Sequence, residues 1–263
     1  MKKPFSFSNF GVDNHFDSFT KQVCIFIEGM WFEKPEYTNS EFKVLVNCTE
    51  PLEVVNQCFA LDDIVKNQKK FDLILTSHDY VLENCSNAKF FVFGSGWVPP
   101  IPDDYKKEFV LSFLCGSKQT LPGHKLRHVV LNHSDYFNNC FKKQFYYAYN
   151  ASDKKDTLYP AMFSIIIENT QHKNYFTEKI VDCFLAKSIP LYWGCPNISD
   201  FFDTGGIIKF TDVNELILKS NILTPEIYNA KQDIIEKNFN TAITYRDFHK
   251  RVSNEIKEAL CQK

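Results

Sequence analysis

Ile165-Ile166-Ile167-Glu168-Asn169, then Tyr175-Phe176-Thr177-Glu178-Lys179-Ile180, then Ile189-Pro190-Leu191-Tyr192-Trp193-Gly194 follow one another within residues 165–194. The first run is apolar and β-branched and stops on two polar residues, as a buried strand does where it meets a loop. Thr177 is a good N-cap, and Ile180, Val181, Phe184 and Leu185 recur behind it at helical spacing, so the pattern predicts a helix over 177–187. The third run is a second buried strand. Strand, crossover helix and strand in that order build a parallel sheet, and an α/β fold follows. Glu178 suits the positive end of the helix dipole, but Lys179 beside it does not. An anion docked at the helix N-terminus accounts for that lysine, and so does a solvated helix surface.

The same rhythm extends in both directions. Strands are predicted at 22–27, 42–47, 71–76 and 89–93, with a helix over about 54–69, giving a first Rossmann-like sheet. Gly94-Ser95-Gly96 and the prolines at 99, 100 and 102 then break the pattern and set a domain boundary near residue 100. Beyond it come a strand at 109–115, a helix at 125–132, the 165–194 stretch, a strand at 206–210 and helices from Asp212 onward. Residues 150–157 read as a polar loop, and Phe145, Tyr146, Tyr147 and Tyr149 as core or cleft lining. The expected organisation is a domain over 1–100 and a second over 101–263 that includes the terminal helices.

Composition narrows the function classes. The 263 residues are 44% hydrophobic and 16% aromatic, far from a disordered chain. No apolar run approaches the ~18 residues of a membrane span. A formal charge of −2 argues against a nucleic-acid partner bound through overall positive charge. Nine cysteines are dispersed without any Cys-x-x-Cys pair, the usage of reduced thiols, so a cytoplasmic protein is expected. Basic residues are 27 Lys against three Arg (Arg127, Arg246, Arg251), which raises interest in what each planar fork holds. The histidines form no ligand motif with carboxylates; His124 and His128 are an isolated i, i+4 pair, and no metal is expected. Gly94-Ser95-Gly96 lacks the helix of a dinucleotide fingerprint.

The 165–194 stretch closely resembles the donor-binding motif of the α-1,3-fucosyltransferases, glycosyltransferase family ten, whose pattern runs Phe-Glu-Asn, Tyr-Val-Thr-Glu-Lys-Ile and Ile-Pro-Val-Tyr-Trp-Gly. The resemblance implies a GT-B fold, two Rossmann-like domains facing across a cleft, with the acceptor on the first and the nucleotide sugar on the second. It implies that Asn169, Tyr175, Glu178 and Lys179 line the sugar-nucleotide pocket, Lys179 at the diphosphate and Glu178 near the sugar. A second stretch, 109–127, is similar to the family's strand followed by a phosphate-binding arginine that opens a helix. Arg127 takes that place, although Gly116-Ser117 stands where the family has Ser-Asn.

The family's general base is a glutamate in a Glu-Ser-Pro setting beyond a strand of the first domain. Here Cys48-Thr49-Glu50-Pro51 follows the 42–47 strand, so Glu50 is the candidate base, without the serine. Glu28 and Asp79 are the other carboxylates after predicted strands. The reaction implied is inverting transfer of fucose from GDP-fucose, as donor substrate and with no further cofactor, to a hydroxyl of a glycan acceptor. The alternatives are another nucleotide sugar on the same GT-B fold, or a glycan-binding protein that has lost turnover.

Overall fold

The computed structural model describes residues 23–27, 40–54, 60–140, 145–149 and 158–261, with the side chains of 140 and 145–149 left aside. The polar stretch 150–157 and the carboxylate Glu28 lie outside the described residues. The chain divides into two compact units, Met1–Phe93 with Asp247–Lys263, and Gly94–Arg246. Each is built on a parallel sheet, so the expected α/β class holds.

In the first unit the strands β1 (Val23–Ile27), β2 (Phe42–Asn47), β3 (Leu73–Thr76) and β4 (Ala88–Phe90) pair in sequence order, all parallel. Helices α1 (Leu61–Asn67) and α2 (Asp79–Asn84) lie in the connections. β2 is buried on both faces, which is why it reads as an almost continuous apolar run. Leu45 packs with Ile64 of α1 and Val81 of α2, whereas Val44 and Val46 join a cluster containing Phe248, Val252 and Ile256.

Those last three residues correct the expected domain division. They recur at i, i+4 and i+8 on the terminal helix, Phe248–Cys261, and form the stripe that this helix buries against the first sheet. Arg251 fixes the same helix by donating from Nη1 to the Phe93 carbonyl at 2.9 Å and from Nη2 to that of Val92 at 2.8 Å. Its guanidinium lies over the Phe91 ring. Lys89 pairs with Glu255 and Glu258 alongside. The terminal helix therefore belongs to the first unit, and the boundary falls at Phe93/Gly94, ahead of residue 100.

The second unit carries β5 (Glu108–Cys115), α3 (Pro122–Asn132), α4 (Ser134–Cys140), β6 (Phe145–Tyr149), β7 (Ala161–Ile167), α5 (Glu178–Leu185), β8 (Ile189–Trp193) and β9 (Ile208–Lys209). Helices α6 (Val213–Asn221), α7 (Pro225–Asn229) and α8 (Gln232–Arg246) follow. The sheet order is β6-β5-β7-β8-β9, all parallel. The aromatic run 145–149 is thus an edge strand, which its unbroken Phe-Tyr-Tyr content masked in the sequence. β5 sits between β6 and β7, so the winding reverses there, and doubly wound sheets bind ligands at the carboxyl ends of the two strands flanking such a reversal.

Candidate functional site

The carboxyl ends of β5 and β7 open into a pocket of about 650 Å³ lined by Leu114–Lys118, His124, Arg127, Ile165–Ile167, Asn169, Glu178, Lys179 and Asp182, with Trp97 and Leu158. All of these belong to the second unit. The pocket lies at the topological switch point that the strand order predicts.

Two strand-to-helix turns build it. After β5 the chain enters α3 at Pro122, which suits the first helical position because its missing N–H needs no partner there. Gly123 follows. A Cβ at this position would stand 1.8 Å from the Glu168 carbonyl oxygen, and Gly123 N donates to the Asn169 carbonyl at 2.9 Å. The first turn of α3 is therefore pressed directly on the end of β7, and only glycine permits that approach. One turn on, Arg127 is buried at 7% exposure and donates from Nε to the Ile167 carbonyl at 3.1 Å and from Nη2 to Asn169 Oδ1 at 2.5 Å. Burial lowers the guanidinium from its ordinary value, opposed first by Glu168, yet an arginine stays cationic under such conditions.

The second turn joins β7 to α5. Thr177 caps α5 by accepting from the Lys179 N–H, as its sequence position predicts. Its own N–H and hydroxyl donate to Glu168 at 2.9 and 2.7 Å. Glu168 is fully buried, and burial raises its carboxyl above the usual range while Lys179 pulls the other way. Gly194 makes room for it, since a Cβ there would fall 2.6 Å from Glu168 Cγ and 2.4 Å from the Tyr192 hydroxyl. Lys179 Nζ then lies 3.0 Å from Thr177 Oγ1, 3.1 Å from Glu178 Oε1 and 3.7 Å from Glu168 Oε2. Two carboxylates thus hold this ammonium at the pocket wall. Asp182, one turn deeper, accepts from the backbone N–H groups of Trp97 and Val98 and ties the 94–102 segment to α5.

The structure brings Arg127, Asn169, Glu178 and Lys179 to one pocket, although they come from separate turns. Tyr175 is buried close to Arg127 and is not one of the lining residues. Glu50 is exposed after β2 in the first unit, and Asp79 opens α2 there. Sequence reading missed His124, Lys118, Trp97 and Asp182 as lining residues; the i, i+3 spacing of His124 and Arg127 was the available signal. The described residues contain no group of three or more His, Cys, Asp or Glu able to hold a metal ion.

Residues 123–223 match the family model "Glycosyltransferase family 10 (fucosyltransferase) C-term", which supports the resemblance carried by the donor motif. The alpha-(1,3)-fucosyltransferase FucT of Helicobacter pylori is 36% identical over 64 residues, which is 24% of this chain and 13% of that protein. The chain thus matches about an eighth of this curated relative. Among solved structures, TarM aligns at TM-score 0.56 and 10% identity, over 90% of this chain and 54% of that one. Anabaena Alr3699/HepE in complex with UDP and glucose aligns at TM-score 0.54 and 12% identity, over 84% and 72%. These likenesses show the fold, which is of the α/β GT-B type.

Proposed function

We propose that the protein is an inverting glycosyltransferase that moves fucose from GDP-fucose to a hydroxyl of a glycan acceptor. One observation carries this reading: Lys179 in the first turn and Arg127 in the second turn of helices that each follow a sheet strand converge on a single pocket at the switch point. A diphosphate fits that arrangement, being anionic, small and placed where two helix N-termini and two cations meet. The family match over 123–223 supports the fucosyl donor.

In the reaction an acceptor oxygen attacks the anomeric carbon from the face opposite the diphosphate. The bond from that carbon to the β-phosphate oxygen breaks, and GDP leaves with the electron pair. Arg127 and Lys179 stabilise the charge growing on the leaving group without a bridging metal. Glu178, at the pocket wall beside Lys179, lies near the sugar in this reading. Glu50 of the first unit takes the acceptor proton as general base. Six of the seven cysteines with described side chains are buried, as small apolar thiols are, which supports assignment to the reducing cytoplasm.

A donor-hydrolysis assay over a panel of nucleotide sugars tests the donor. GDP-fucose should be consumed fastest. Preferential turnover of another nucleotide sugar would keep the glycosyl-transfer reading and replace the donor. Nucleotide binding without turnover of any donor, with every glycan acceptor tried, would favour a binding protein on this fold.

A further inference from the structure

We propose that His124 is a positioning residue of this site: a neutral imidazole held as the Nε2–H tautomer, which with Arg127 fixes the side-chain oxygen of Asn169 and so turns the Asn169 amide NH2 toward the ligand. The inference rests on the nucleotide-sugar reading of the pocket and adds to it a residue outside the donor motif.

The tautomer follows from hydrogen bonding. His124 Nδ1 accepts from the backbone N–H of Leu121 at 3.2 Å and so satisfies the N-cap donor at the start of α3. A backbone N–H can only donate, so Nδ1 carries no proton, and the Thr120 hydroxyl 3.2 Å away donates to the same nitrogen. The single proton of the neutral ring is then on Nε2. His124 is 5% exposed and lines the pocket together with Asn169, whose side chain acts on the imidazole. With Nδ1 occupied, Nε2–H is the ring donor left to reach the Asn169 side chain.

Its neutrality has a physical cause. Burial and the nearby cations Arg127, Lys118 and Lys179 push the imidazole down to about 4, so near neutral pH it adds a donor without adding charge. The oxygen end of Asn169 is settled by the same chemistry. Arg127 Nη2 faces it at 2.5 Å, and a guanidinium has no acceptor, so the facing atom is Oδ1. His124 and Arg127 lie at i and i+3 on one face of α3, and the contact of Gly123 with residues 168–169 sets that face against Asn169. Two donors on Oδ1 leave Nδ2 as the ligand-facing end of the amide.

The test is a double-mutant cycle read by GDP titration calorimetry on the full chain. His124→Ala should weaken GDP binding by roughly tenfold, about the effect of one hydrogen bond, whereas the same change in an Asn169→Ala background should cost less than about twofold more. His124→Gln should restore binding to within about twofold, because a glutamine at this place can both cap Leu121 and donate to Asn169. Ring nitrogen chemical shifts of His124 should report Nε2–H in the free protein. A full effect of His124→Ala in the Asn169→Ala background, a proton on Nδ1, or wild-type affinity in His124→Ala would overturn the role of His124 and leave the pocket's function standing. Wild-type protein that binds neither GDP nor UDP would remove the nucleotide-sugar reading, and this inference with it.

Discussion

Arg127 and Asn169, 42 residues apart, are joined by a 2.5 Å hydrogen bond from guanidinium to amide oxygen, and the same guanidinium holds the Ile167 carbonyl at the end of β7. The arginine thus belongs to the structure of the switch point as well as to the ligand chemistry proposed for it. Its planar fork lets it hold two fixed acceptors and still offer N–H groups to the pocket.

Arg127→Ala should therefore weaken GDP binding by roughly 1.5–3 kcal/mol, the range for hydrogen bonds to charged groups, and also lower stability by about 1–3 kcal/mol, because the Ile167 carbonyl loses its buried donor. Lys179→Ala should weaken GDP binding similarly. Arg127→Lys should recover only part of either loss. Calorimetry and urea unfolding of the variants measure both quantities, and the double alanine variant should depart from additivity because both side chains act on one diphosphate.

Gly123→Ala probes the close approach of α3 to β7. With the added carbon 1.8 Å from the Glu168 carbonyl, backbone must move, so a stability loss at the top of the roughly 1–3 kcal/mol range for overpacking is expected, together with weakened GDP binding. A thermal unfolding midpoint equal to wild type would show that the two turns are not in contact.

Glu50→Gln should leave folding and GDP affinity unchanged, since Glu50 is exposed and lies outside the pocket of the second unit. Transfer to acceptor should fall by roughly 10²–10⁴-fold. Steady-state kinetics with a saturating acceptor measure it, and unchanged turnover would move the role to Asp79 or Glu28.

Treatment with EDTA should leave most of the transfer activity in place if, as proposed, Arg127 and Lys179 meet the diphosphate charge directly. Complete loss, restored by a divalent ion, would show that a metal shares that charge.

Acid should destabilise the second unit through His124. A base whose folded value is lowered, here from 6.5 to about 4, binds its proton more readily in the unfolded chain. Its contribution to stability is complete above about pH 6.5, falls as pH drops toward 4 and changes little below that. Urea midpoints between pH 7 and pH 4 should decline less steeply in His124→Gln than in wild type.

Two features of the site were written plainly in the sequence. The donor motif placed β7, the Thr177 cap, α5 and β8 in order because apolar periodicity and capping are local properties. Asn169, Glu178, Lys179 and Arg127 could be named from the resemblance to the family's motifs, whereas Tyr175, named with them, does not line the pocket. Two parts were hidden. The terminal helix read as part of the second domain, since an amphipathic stripe such as Phe248, Val252 and Ile256 declares that it will be buried and not which sheet will bury it. His124 read as half of an isolated i, i+4 histidine pair with no metal expected; its capping partners Thr120 and Leu121 are local, but Asn169 and Lys179, which act on its ring, come from another segment.

By itself, then, the sequence determined the α/β class, the strand and helix order around the pocket and the chemical identity of its cations. The tertiary structure decided the strand order β6-β5-β7-β8-β9, and with it the switch point where Arg127 and Lys179 meet. It also decided that Lys179 is held by Glu168 and Glu178, and that His124 faces Asn169. The physical reason is one of range. Propensity, capping and burial periodicity act over a few residues, whereas hydrogen-bond geometry, desolvation and charge pairing depend on distances that exist only once remote segments have packed.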